Sequence, residues 1–204
     1  MIKAVVFDFG NVIAVQDTSC YKKMSALAGI PVEKIQSFFW KRRVEYDRGD
    51  ILGVRMYVEG FLEAGYPEKA DDERLCRELA LLDTGSWLDY DKAVIEWTRQ
   101  LKREGYLIGV LSNMPWDFLD LHEKEIPLFV EADTAVFSCR EKLIKPQPEI
   151  YRVLLYRLGT IPEETVFFDD IEVNVVAACD LGIKGILWNG LEQAREDFNR
   201  IKIG

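Results

Sequence analysis

The chain has 204 residues, 49% of them hydrophobic and 30% charged, with a formal net charge of -9. That length suits one core, or one domain with a modest insertion, and the composition argues against a disordered or membrane-spanning chain. The acidic balance disfavours nucleic acid and anionic membranes as partners, and any phosphate site must carry its own local cations.

The first predicted strand covers residues 3–7, a continuous apolar run that starts almost at the N-terminus. No charged segment followed by a long apolar stretch precedes it, so no signal peptide is expected. Residues 17–85 then read as helices, at 18–28, 31–47, 51–64 and 69–82. Gly29 to Pro31, Gly49 and Gly65 to Pro67 punctuate them. A helical stretch follows at 91–104, with apolar residues at Ala93, Val94, Trp97 and Leu101 and a stop at Gly105. Strands are predicted at 106–111, 134–137, 165–168 and 185–188. Helices are predicted at 148–158 and 172–181, and a last helix and tail at 190–204.

Strand–helix–strand repetition with apolar strands predicts an α/β fold, a doubly wound parallel sheet. The helical block that interrupts it predicts an inserted cap at residues 15–87, with residues 1–14 and 88–204 forming the core domain. The four cysteines, Cys20, Cys76, Cys139 and Cys179, are widely spaced and there is one histidine. This leaves little for a zinc site and predicts free thiols in a reducing, cytoplasmic setting.

Ligands of open parallel sheets bind beyond the carboxyl ends of the strands. The polar residues there are Asp8, Ser112 with Asn113, Lys145, and Asp169 with Asp170. Each has an ordinary reading by itself: a turn cap, a helix N-cap, a solvated loop lysine. Together they place three carboxylates and a lysine at one edge. Two carboxylates about 4 Å apart repel by roughly 4 kcal/mol at an effective dielectric near 20. A cation is therefore needed, and magnesium suits carboxylate oxygens. Asp8 could then attack phosphorus as a covalent nucleophile.

The runs VVFDFGN, VLSN, KPQPEIY and VFFDD, in that order, resemble the four motifs of the haloacid dehalogenase superfamily, and the insertion resembles its helical cap. The resemblance spans nearly the whole chain. It implies a Mg2+-dependent phosphohydrolase acting on a small phosphorylated metabolite through an aspartyl-phosphate. Asp8 would be nucleophile and metal ligand, and Ser112 and Asn113 would bind phosphate. Lys145 would anchor phosphate and balance charge. The Gly10 backbone carbonyl, Asp170 and, in a supporting role, Asp169 would hold the metal.

One position departs from the pattern. The phosphatases of the superfamily carry a second aspartate two residues after the nucleophile as general acid and base, and here Gly10 stands there, followed by Asn11. General acid–base help is typically worth about 10²–10⁴-fold, so weakened phosphatase activity is expected. A start of this kind also resembles bacterial glucose-1-phosphate phosphatases, a lean towards sugar phosphates. The alternatives are an attenuated metal- and anion-binding regulatory domain, or a dehalogenase that needs no magnesium. Asn174 either orients Asp170 or faces solvent. In the cap, one arginine of the group Arg42, Arg43 and Arg48 could reach a second anion, and Phe38, Phe39 and Trp40 read as cap core.

Overall fold

The computed structural model describes residues 1–203; the expected C-terminal segment 190–204 ends at Gly204, which lies outside them. Strand β1 (Ala4–Phe7) is central in the sheet, and its residues alternate between two apolar layers. Val5 and Phe7 join one layer, Ala4 and Val6 the other. A strand covered on both faces has to be apolar at every position, and this explains the unbroken run in the sequence.

A short strand β2 (Ala14–Val15) pairs antiparallel with β3 (Asp89–Tyr90), so this ribbon brings together the two ends of everything between. What lies between is helical: α1 (Cys20–Ala28), α2 (Val32–Asp47), α3 (Gly53–Glu63), α4 (Pro67–Ala70) and α5 (Glu73–Gly85). The single helix expected over 69–82 is two helices. Asp72 breaks it by capping α5, accepting a hydrogen bond from the Leu75 N–H at 3.0 Å. The five helices bury a cluster of their own, including Met24, Phe39, Tyr57, Phe61 and Leu79, apart from both layers of the sheet.

Beyond the ribbon the α/β rhythm resumes. Helix α6 (Lys92–Arg103), capped by the Asp91 carboxylate, leads to β4 (Leu107–Ser112), α7 (Trp116–His122), α8 (Pro127–Glu131) and β5 (Thr134–Phe137). Then come α9 (Ser138–Glu141), α10 (Pro148–Leu158), β6 (Thr165–Asp169), α11 (Glu172–Asp180), β7 (Lys184–Leu187) and α12 (Leu191–Ile203). The five-stranded sheet is parallel throughout, in the order β5-β4-β1-β6-β7. Helices α6 and α12 cover the Val5 face, and α10 and α11 the Val6 face. The chain builds outward from β1 in one direction and then in the other, which opens a crevice at the carboxyl end of β1. Helices α7, α8 and α9 and the ribbon were not predicted. With two to seven residues each, they are too short to show a period. No described helix is long and apolar enough to cross a membrane.

Candidate active site

Sheet register brings the acidic residues together. Val6 pairs with Phe167 and Phe7 with Phe168 across β1 and β6. One step further, Asp8 lies opposite Asp169, on the face that Ala4 and Val6 share. Two like charges on adjacent strands repel unless something stands between them. That something is Lys145, from the loop before α10. Its Nζ lies 2.9 Å from Asp8 Oδ1 and 2.5 Å from Asp169 Oδ2, and all three side chains are buried. Desolvation works against the lysine's charge, but Asp8 and Asp169 outweigh it and raise its pKa. For Asp8, desolvation is the stronger influence and Lys145 the weaker, and its pKa is raised to about 6.

Asp169 has no oxygen to spare. Oδ1 accepts from the Ile171 N–H at 2.8 Å and from Asn174 Nδ2 at 3.0 Å; Oδ2 accepts from Lys145 and from Asn174 at 3.1 Å. Asn174 therefore orients Asp169, where the sequence had suggested Asp170. Asp170 is half-buried and receives one bond, from Asn11 Nδ2 to Oδ2 at 3.0 Å. Asn11 takes a positive φ of 55°, a conformation that asparagine tolerates better than most residues. The sequence quoted Asn11 within its motif but gave it no role. Oxygen atoms of Asp8, Asp169 and Asp170 fall within 4.8 Å of one another.

Asn113 turns out to be a clamp. Its Nδ2 donates to the Lys145 carbonyl at 3.0 Å, and its Oδ1 accepts from the Lys145 N–H at 2.8 Å. The side chain expected at phosphate is thus bonded to the lysine's backbone. Ser112, at the buried end of β4, borders the same cleft as Asp8 and Lys145, as do Gly10, Asp170 and Asn174. The carbonyl of Gly10 accepts no hydrogen bond among the described residues.

The cap closes over this edge. The cleft encloses about 1020 Å³ including its mouth, and Phe39, Trp40, Arg43, Val44 and Asp47 line it from α2. Of the expected cap core, Phe38 and Phe39 are buried but Trp40 is 65% exposed, because it lies one step round the helix from Phe39. Arg42 faces the other way, paired with Glu59 and Glu63. Arg43 is the arginine that turns to the cleft, with Nε 2.5 Å from Asp47 Oδ2. Asp83 of α5 is also buried near it. Burial first, then the neighbouring Asp47, push Asp83 up to about 7 against the pull of Arg43.

Since an unfolded aspartate titrates near 3.9, the native state holds the Asp83 proton more tightly. Asp83 therefore favours folding at low pH, and this contribution is lost as pH rises from about 4 to about 7. Asp83→Asn is expected to melt above wild type at pH 8, by on the order of 5 °C. The gain should vanish near pH 4. A variant that melts lower at pH 8 would mean that Arg43 holds Asp83 ionised.

Fold and centre together define a hydrolase with a doubly wound α/β core and an inserted helical cap. The chain belongs to the haloacid dehalogenase-like hydrolase family, whose model matches residues 2–182. It is 30% identical to the sesquiterpene phosphatase astK of Aspergillus oryzae, over 90% of this chain and 88% of that one. It is 25% identical to bifunctional epoxide hydrolase 2 of Sus scrofa over 98% of this chain, but spans only 39% of that protein's length. The structure of HAD family enzyme BT-2542 from Bacteroides thetaiotaomicron, in complex with magnesium and inorganic phosphate, matches with a TM-score of 0.70 at 23% identity, covering 92% of this chain and 94% of that one. That likeness is one of fold.

Proposed function

We propose that this hydrolase is a magnesium-dependent phosphatase of small phosphorylated metabolites, working through an aspartyl-phosphate on Asp8. The observation that carries the reading is the buried bridge of Lys145 to both Asp8 and Asp169, with Asp170 beside it.

The donor set suits a hard divalent ion. Asp8 Oδ2, Asp170 Oδ1 and the Gly10 carbonyl are oxygens without a hydrogen-bond partner among the described residues. Asp8, Asp170 and Gly10 would hold magnesium, and Asp169, its oxygens already engaged, would orient Lys145. Bound there, the ion would neutralise charge on the carboxylates and on the transferring phosphoryl group.

The chain's own residues account for the rest. Lys145 Nζ and the Phe9 N–H hold Asp8 Oδ1 and so fix the orientation of the carboxylate. The Asp8 carboxylate attacks phosphorus, the bond from phosphorus to the ester oxygen breaks, and the phosphoryl group stays on Asp8. Lys145 and the Ser112 hydroxyl offset the charge on its oxygens. Water then attacks phosphorus, the bond to Asp8 breaks, and phosphate leaves. Phe39, Trp40 and Val44 on the cap, with Ile144 and Ile171 on the core, border the cleft where the leaving group would lie.

A panel of phosphate esters assayed with magnesium and with a chelator tests the reading. Turnover that requires magnesium is expected. Metal binding without hydrolysis of any ester would make the chain a regulatory domain instead. Halide release from a 2-haloacid in the presence of chelator would make it a dehalogenase.

A further inference from the structure

Phosphoryl transfer to a carboxylate leaves one need unmet in this cleft. An alkoxide leaving group must take up a proton, and the attacking water must give one up. Position 10 cannot serve. Gly10 has no side chain, and a Cβ there would already press on the Trp87 indole, 3.3 Å from Cζ3 and 3.6 Å from Cη2. The indole comes from the segment between α5 and β3, so the cap's own junction crowds the place beside the nucleophile.

A carboxyl group of the right kind borders the cleft from the cap. Asp47, the last residue of α2, is 3% exposed and lines the same cleft as Asp8, Lys145 and Asp170. Its Oδ2 is held by Arg43. Its Oδ1 is buried and has no hydrogen-bond partner among the described residues, and a buried polar atom left in that state is destabilising. Such an atom calls for a reason, and a catalytic role is one of them.

The residue is also anchored, although it belongs to the cap. Ser138 Oγ donates to the Asp47 carbonyl at 2.5 Å and accepts from the Met114 N–H at 2.8 Å. Two residues on, Lys142 Nζ donates to the Gly49 carbonyl at 2.5 Å. The end of α2 is thus bonded to the core loops that follow β4 and β5.

We propose that Asp47 is the general acid and base of this site, taking from the cap the part that the loop after β1 cannot play. The inference rests on the phosphatase reading above. In the first step Asp8 attacks phosphorus, the ester bond breaks, and the departing oxygen takes the Asp47 proton. In the second, Asp47 carboxylate takes a proton from water as the water oxygen bonds to phosphorus and the bond to Asp8 breaks. Asp47 ends protonated, as it began.

Three groups face this carboxyl: Arg43 from its own helix, Asp83 from α5, and Lys145 from the loop before α10. Desolvation outweighs the two cations and raises Asp47 to about 6, within the range where a group can both give and take a proton at neutral pH.

The test compares the whole enzyme with Asp47→Asn, with magnesium, on two esters. 4-Nitrophenyl phosphate releases an anion that needs no proton; glycerol phosphate releases an alkoxide that does. Asp47→Asn is expected to keep the rapid first burst of nitrophenolate but to cleave glycerol phosphate about 10²–10⁴-fold more slowly. Asp47→Glu should recover part of that loss. Equal loss on both esters, or none on glycerol phosphate, overturns the proposal. Should the variant fail to fold, the wild type alone decides. Its burst rate should vary little across esters of rising leaving-group pKa, and a steep fall would mean that no acid acts. If wild type cleaves no ester at all, the phosphatase reading fails first and this one with it.

Discussion

Asp8→Asn is expected to abolish phosphate-ester hydrolysis, lowering kcat/KM by at least on the order of 10⁴-fold. A neutral amide is a far weaker nucleophile than a carboxylate and cannot form the acyl phosphate. The fold should survive. Asparagine has the same shape, and Lys145 keeps a full counter-ion in Asp169 at 2.5 Å. The burial that raises Asp8 to about 6 also means that native Asp8 carries a desolvation penalty, which the variant removes. The measurement is steady-state turnover of 4-nitrophenyl phosphate with magnesium, with the melting temperature as control. A folded variant that keeps a tenth of wild-type turnover would rule Asp8 out as the nucleophile.

Lys145→Met should strike at stability as well as at catalysis. Methionine fills the space of the stem but leaves Asp8 and Asp169 buried on adjacent strands with no cation between them. Removing one partner of a buried ion pair is destabilising by about 3–5 kcal/mol, which corresponds to a fall on the order of 10 °C in a chain of this size. The pH dependence has a definite sign. Without the lysine, Asp8 loses the cation that lowers its pKa and should titrate higher still than about 6 in the folded state, against about 3.9 for an unfolded aspartate. The native state then binds its proton more tightly, and stability is lost as pH rises from about 4 through that raised value. The deficit against wild type should therefore be larger at pH 8 than at pH 5. Thermal unfolding at both pH values, without divalent metal, would show it. Added magnesium should restore part of the loss at pH 8 by standing in for the missing charge. A variant as stable as wild type at pH 8 would mean that the two aspartates do not depend on Lys145.

Much of the frame could be read from the residues in order. Each strand of the parallel sheet is an apolar run covered on both faces, so all five appear within one or two residues of their predicted bounds. Asp8, Ser112, Asp169 and Asp170 could be named because the crevice of such a sheet lies where strands end, and strand ends are a matter of local sequence. The helical insertion was legible too, since a long block of helical period cannot be a strand.

What the sequence left undecided concerns partners far apart in the chain. Asn113 and Lys145 are separated by 32 residues, and only the folded loop shows the amide clasping the lysine's backbone. Asn174 chose Asp169 over Asp170 because the turn into α11 sets its direction. Trp40 left the cap core for the cleft by one step of helix rotation, while Arg43 turned inward and Arg42 outward. Above all, Trp87 packs against Gly10, and Asp47 comes to line the same cleft as Asp8, through the docking of cap on core. Periodicity fixes which face of an element is apolar. It carries no information on which two elements meet, and the protonic chemistry of this cleft depends on that meeting.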